Sequence, residues 1–117
     1  VIQPRPLTVD HTSDRRGTLL TLCGELDYEA TGCVQEALRH VRLSAGERLV
    51  LDLSAVTFCD SNGVTLLVGA HRTARAQDAD LAVTGLLPPV AKVLRITGLD
   101  TVLAVYGTPE EAFADVP

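Results

Sequence analysis

The 117-residue chain is long enough for one domain with a single core, and its 46% hydrophobic and 21% charged residues are those of a globular protein. A net charge of −5 and an aromatic content of 3%, with no Trp, argue against nucleic acid as a partner: phosphate backbones attract basic surfaces, and single strands need stacking platforms. Cys23, Cys33 and Cys59 form no CxxC pair and have no histidine at metal-ligand spacing, so each reads as a reduced thiol of a cytoplasmic protein.

No stretch reads as a signal peptide or as a membrane span, and a start at Val1 without Met is expected of a processed, trimmed or excised piece. Residues 7–11 alternate apolar and polar as a half-buried strand does. Residues 13–17 read as a turn with Arg15 and Arg16 solvated at its tip, and residues 18–24 as the return strand of an antiparallel hairpin. From 29 to about 43 the apolar Val34, Ala37, Leu38 and Val41 fall at helical spacing, with Asp27 as N-cap and Glu29 in the first turn. Ser44-Ala45-Gly46 ends that helix, and residues 48–53 are almost uninterrupted in apolar character, as a buried parallel strand is.

The second helix is expected over 61–77 with Val64, Leu67 and Val68 facing inward, and a fourth strand over 81–84. Pro88-Pro89 opens a third helix that turns Val90, Val93, Leu94 and Ile96 inward and stops at Gly98. A fifth strand over 102–105 precedes a last short helix capped by Thr108. This order predicts one α/β domain over 1–117, with its core at about 7–113. Its sheet is mixed and five-stranded, an antiparallel hairpin followed by strand-helix crossovers, with about four helices.

The candidate chemistry centres on Cys59-Asp60-Ser61-Asn62-Gly63, half of a nucleophile elbow at a strand-to-helix turn. A hydrolase would need a base, and the one later histidine, His71, lies ten residues along the same helix, about 15 Å away. A phosphoacceptor receiver domain would need an acidic pair after the first strand, which is absent after Val9, and the single lysine, Lys92, falls inside a helix. No Gly-rich phosphate loop is present, and His11, His40 and His71 are scattered over different elements, so no metal, nucleotide or cofactor site is supported. The chain reads as no enzyme. Two readings of Ser61 remain. It caps the second helix through a backbone N–H, or it accepts a phosphoryl group that the helix N-terminus accommodates, with Asp60 orienting the hydroxyl and adding like-charge repulsion afterwards.

The pattern as a whole resembles the anti-sigma factor antagonists, the stand-alone form of the STAS domain. The residues that carry the resemblance are Gly24-Glu25-Leu26-Asp27, the run from Leu49 to Phe58, Asp60-Ser61-Asn62-Gly63-Val64, Ala70 to Arg75, Val93 to Asp100, and Glu110-Glu111-Ala112. They cover nearly the whole chain. The resemblance implies that an anti-sigma factor that is itself a serine kinase phosphorylates Ser61, and that the unphosphorylated antagonist binds this kinase and frees a sigma factor. A serine phosphatase would reset the cycle. ATP and magnesium would belong to the kinase, with no cofactor, metal, nucleic acid or membrane for the chain itself, which is expected as a monomer. The resemblance also implies that Asp60, Asn62 and Gly63 support the switch and that Glu25, Leu26, Asp27, Tyr28, Cys59 and Thr65 meet the partner. Asn62 departs from the family's commoner Ser or Thr and removes a second hydroxyl. The rival use of the same fold is a non-phosphorylated assembly subunit of a transporter or signalling complex.

Overall fold

A computed structural model describes residues 6–116; the ends of the expected domain, residues 1–5 and 117, lie outside the described residues. Strands β1 (Thr8–Asp14) and β2 (Gly17–Leu26) pair antiparallel across the Arg15-Arg16 turn. To them β3 (Arg48–Cys59), β4 (Asp80–Thr84) and β5 (Ala104–Tyr106) add in turn, each parallel to its neighbour, in the spatial order β1-β2-β3-β4-β5. Each parallel step requires a crossover. Helices α1 (Thr31–Arg39), α2 (Ser61–Arg75) and α3 (Pro88–Thr97) supply them, and α4 (Pro109–Ala114) closes the chain. The α/β class, the mixed five-stranded sheet and the four helices are as the sequence predicts.

Alternation along β3 decides which helix lies where. Leu49, Leu51 and Leu53 point to one face and join Leu20 and Leu22 of β2, Leu81 and Val83 of β4, and the inner sides of α1, α2 and α3. Val50 points to the other face, where it meets Ala82, Ala112 and Phe113 beneath α4. A strand buried on both sides explains the unbroken apolar run. Arg48 ties α4 down by donating to the Tyr106 hydroxyl and to the Ala112 carbonyl, both at 3.0 Å. Thr108 caps α4 by accepting the Glu111 N–H, and Gly98 ends α3 in the left-handed conformation (φ 77°), both as expected.

Several expected details differ. Helix α1 stops at Arg39, because the chain must leave the helix for Val41 to drop into the core. Gln77 fixes that exit, accepting the Leu43 N–H at 2.8 Å and donating to the Val41 carbonyl. On α2 the buried stripe is Gly63, Leu66, Leu67, Ala70 and Ala74, and Val64 and Val68 stand half-buried on the flank toward α1. Ile96 is 71% exposed, since Val90 and Leu94 already define the inward stripe and Ile96 lies about 200° around the helix from Leu94. Arg16 is not merely solvated: it pairs with Asp14 at 3.0 Å and lies over the Phe113 ring at 4.8 Å.

Thr84, at the end of β4, is fully buried, and its Oγ1 finds no hydrogen-bond partner among the described residues. A buried hydroxyl without a partner costs about 1–3 kcal/mol in lost solvation. Thr84→Val, nearly the same shape, is therefore expected to stabilise the protein by about 1 kcal/mol. Urea unfolding should show a higher midpoint at an unchanged m-value; a lower midpoint would show that the hydroxyl contributes to the fold.

Candidate functional site

Strands β2 and β3 end side by side, with Leu26 opposite Cys59. One residue later Asp60 adopts an extended conformation, and its N–H points at the Leu26 carbonyl at 3.4 Å. Its carboxylate Oδ1 accepts the N–H groups of Asn62 (2.9 Å) and Gly63 (3.1 Å), while its carbonyl takes the first helical bond from Val64. Asp60 is thus the N-cap of α2, not Ser61. The reason is backbone conformation: a residue that caps lies outside helical φ/ψ so that its side chain turns back on the first amides. Ser61 is already the first helical residue, its side chain is exposed, and its hydroxyl makes no hydrogen bond among the described residues. Nor does Asp60 hold that hydroxyl, because the carboxylate is engaged with the amides. The Ser61 carbonyl accepts the Thr65 hydroxyl at 3.1 Å.

Gly63 lets this helix start sit close to the sheet. A Cβ there would lie 2.3 Å from the Leu26 carbonyl oxygen and 2.7 Å from the Cys59 sulfur. Leu26 and Cys59 are buried, so of the expected partner-contact residues these two form the floor beneath the site. Glu25 and Asp27 are half-buried at its edge, and Tyr28 and Thr65 are exposed. The Asp27 carboxylate accepts the Ala30 N–H at 3.2 Å, capping a 3-10 turn, Tyr28–Ala30, that leads into α1 and leaves the Tyr28 ring 74% exposed.

Phe58 closes the run from Leu49 that carries the resemblance. It is 45% exposed, pairs with Glu25, and stands three residues before Ser61. The signal was present in the alternation: Cys59 points inward, so its neighbour points out. Of the four aromatic residues in the chain, Tyr28 and Phe58 are the two exposed ones, and both belong to this end of the sheet.

Burial, with the Asp60 charge second, pushes the Cys59 thiol up to about 11, so it stays protonated at neutral pH and is no nucleophile. His71 lies on α2 with Ser61, ten residues on, about 15 Å along the axis. Among the described residues no three His, Cys, Asp or Glu side chains gather as a metal site requires, and no helix is long and apolar enough to cross a membrane.

Two outcomes follow from the close packing under α2. Gly63→Ala should destabilise by about 2 kcal/mol or more, because the obstruction is backbone that cannot step aside; a Tm within about 2 °C of wild type would contradict the contact. Cys59 keeps its proton in the folded state above the pH at which an unfolded thiol loses it. The unfolded chain then binds fewer protons, and stability falls as pH rises from 9.0 toward about 11. Cys59→Ala should flatten that decline, measured as the difference in denaturation midpoint between the two proteins across this range.

A family model described as Mlab, STAS domain matches residues 9–105. The anti-sigma-B factor antagonist of Listeria monocytogenes is 31% identical over 90 residues, covering 77% of this chain and 79% of that one. Among solved structures, an anti-sigma factor antagonist from Mycobacterium paratuberculosis superposes with a TM-score of 0.84 at 24% identity, over 99% of this chain and 98% of that one. The Bacillus cell fate determinant SpoIIAA in its phosphorylated form gives a TM-score of 0.64 at 22% identity, over 92% and 97% of the two chains. The relatives so named are regulatory proteins and not enzymes. With its sheet order, its Asp60-capped helix and these matches, the chain belongs to the STAS-domain family of anti-sigma factor antagonists.

Proposed function

We propose that the chain binds a serine-kinase anti-sigma factor while Ser61 is unmodified, so freeing a sigma factor, and that phosphorylation of Ser61 dissolves the complex until a serine phosphatase removes the group. The observation that carries this reading is the placement of Ser61, exposed at the first position of α2 with a hydroxyl that makes no hydrogen bond among the described residues. Its likeness to antagonists of Listeria and to a Bacillus protein known in a phosphorylated form supports the same assignment.

The kinase would use its own Mg-ATP. A bond forms between Ser61 Oγ and the γ-phosphorus as the bond from that phosphorus to the ADP oxygen breaks, and the hydroxyl proton passes to a base of the kinase. The new group adds −1.5 to −2 charge. The amides of Asn62 and Gly63 are already bonded to Asp60, so they do not neutralise it. Glu25 and Asp27 flank Leu26 at the same end. Like charges 4 Å apart repel by about 1 kcal/mol per unit pair even in bulk water. A partner surface matched to this acidic edge in its unmodified state therefore meets a changed field once the dianion arrives.

Incubation with the kinase and Mg-ATP should raise the intact mass of the wild-type protein by one phosphoryl group and leave Ser61→Ala unchanged; modification that persists in Ser61→Ala would place the acceptor elsewhere. Ser61→Asp should weaken kinase binding by about tenfold or more, read by calorimetry. Equal affinities would mean that charge at this position does not switch the complex.

A further inference from the structure

Asn62 is the one asparagine in the chain, and a glycine follows it. An asparagine has a slow reaction of its own, in which the backbone nitrogen of the next residue attacks the side-chain amide carbon. The new N–C bond closes a succinimide ring as the bond to the amide nitrogen breaks. Ammonia leaves, and the backbone proton passes to water or a buffer base. Water then adds to either ring carbonyl and opens the ring to aspartate or isoaspartate. Glycine is the most reactive successor, because it has no Cβ to crowd the attack.

Packing fixes that successor. A Cβ at position 63 would lie 2.3 Å from the Leu26 carbonyl oxygen, a backbone atom of the sheet, so the fold requires glycine after Asn62. The Asn62 side chain is exposed and makes no hydrogen bond among the described residues, which leaves the electrophilic carbon unrestrained.

The nucleophile, by contrast, is held. Asp60 Oδ1 accepts the Gly63 N–H at 3.1 Å and the Asn62 N–H at 2.9 Å. A carboxylate at the Gly63 N–H disfavours loss of its proton, since the resulting anion would face a like charge. Asn62 is also the second residue of α2, and helical ψ keeps the Gly63 nitrogen away from the side-chain carbon. Ring closure needs Asn62 to rotate out of the helix and bring the two atoms together. Without its cap the first turn frays more often, and a frayed Asn62 is free to turn.

We propose that Asn62 is a site of spontaneous deamidation that the Asp60 cap holds closed, and that fraying of the first turn of α2 opens it. The product carries a carboxylate next to Ser61 in place of a neutral amide, on an edge that already holds Glu25, Asp27 and Asp60. Hydrolysis does not restore the amide, so the charge of this surface changes in one direction only. The modification needs no kinase and stands apart from phosphorylation of Ser61.

The test holds purified wild-type, Asp60→Ala and Asp60→Ser proteins in mildly alkaline buffer, well below each Tm, beside wild type in guanidinium chloride. Intact mass follows the exchange of NH2 for OH, and an isoaspartyl methyltransferase labels the isoaspartate. With no other asparagine in the chain both signals report on position 62, and Asn62→Gln, whose ring closes far more slowly, supplies the blank. Folded wild type should react at least about tenfold more slowly than the denatured chain. Asp60→Ala should raise the folded rate about fivefold or more, as loss of a cap raises the frayed population, and Asp60→Ser, which restores a cap without the carboxylate, should fall between. Equal rates in folded and denatured wild type would overturn the proposal, and so would a denatured chain no more reactive than Asn62→Gln. An Asp60→Ala rate within about twofold of folded wild type would overturn it as well, by removing Asp60 as the lock.

Discussion

The Asp60 carboxylate holds the junction on which the functional end of the molecule depends. Its Oδ1 bonds the amides of Asn62 and Gly63, and its N–H faces the Leu26 carbonyl, so β2, β3 and α2 meet at one residue. The first amides of a helix have no partner within it, and at a helix start packed on a sheet they must find one nearby. With Asp60 in that role, Ser61 is turned outward. The missing side chain at Gly63 lets the helix close on Leu26 and Cys59. The exposed serine is thus carried by an element anchored in the core and not by a loop, which fixes its position.

Parallel pairing gives that junction a twin. Because β2 and β3 run the same way, their ends lie together, and each passes to its helix through an aspartate: Asp27 caps the turn before α1, and Asp60 caps α2. The residues that satisfy backbone amides are the same residues that make the edge acidic. Helix capping and the charge of this edge therefore draw on the same residues. The two exposed aromatic residues, Tyr28 and Phe58, sit at this edge and supply the large, stiff apolar area that interfaces favour.

Element order, the hairpin and the caps at Asp27, Thr108 and Gly98 were legible because each rests on local chemistry. The details that escaped depend on neighbours distant in sequence. Helix α1 ends early for the sake of Val41 and Gln77, 36 residues apart. Val64 and Val68 flank the inward stripe because α1 lies beside them, and no pattern within α2 reveals that. At the site, residue types were legible but the division of labour was not. Asp and Ser are both good caps, and which of them caps depends on where helical φ/ψ begins, a matter of one residue that periodicity does not resolve.

That one residue decides what a phosphate can do. A serine at the N-cap would point its phosphate back at the free amides, where the helix dipole and two N–H donors stabilise a dianion. Modification there would tighten the junction and change the outer surface little. With the order Asp60-Ser61, the amides are already taken, and a phosphate on Ser61 would enter on the solvent side next to a carboxylate. The fold would gain little from it, and the surface would acquire a charge that the Asn62 and Gly63 amides, bonded to Asp60, do not offset. Under the proposed switch, phosphorylation would alter the interface while leaving the scaffold as it was, and removal of the group would restore the binding form without refolding.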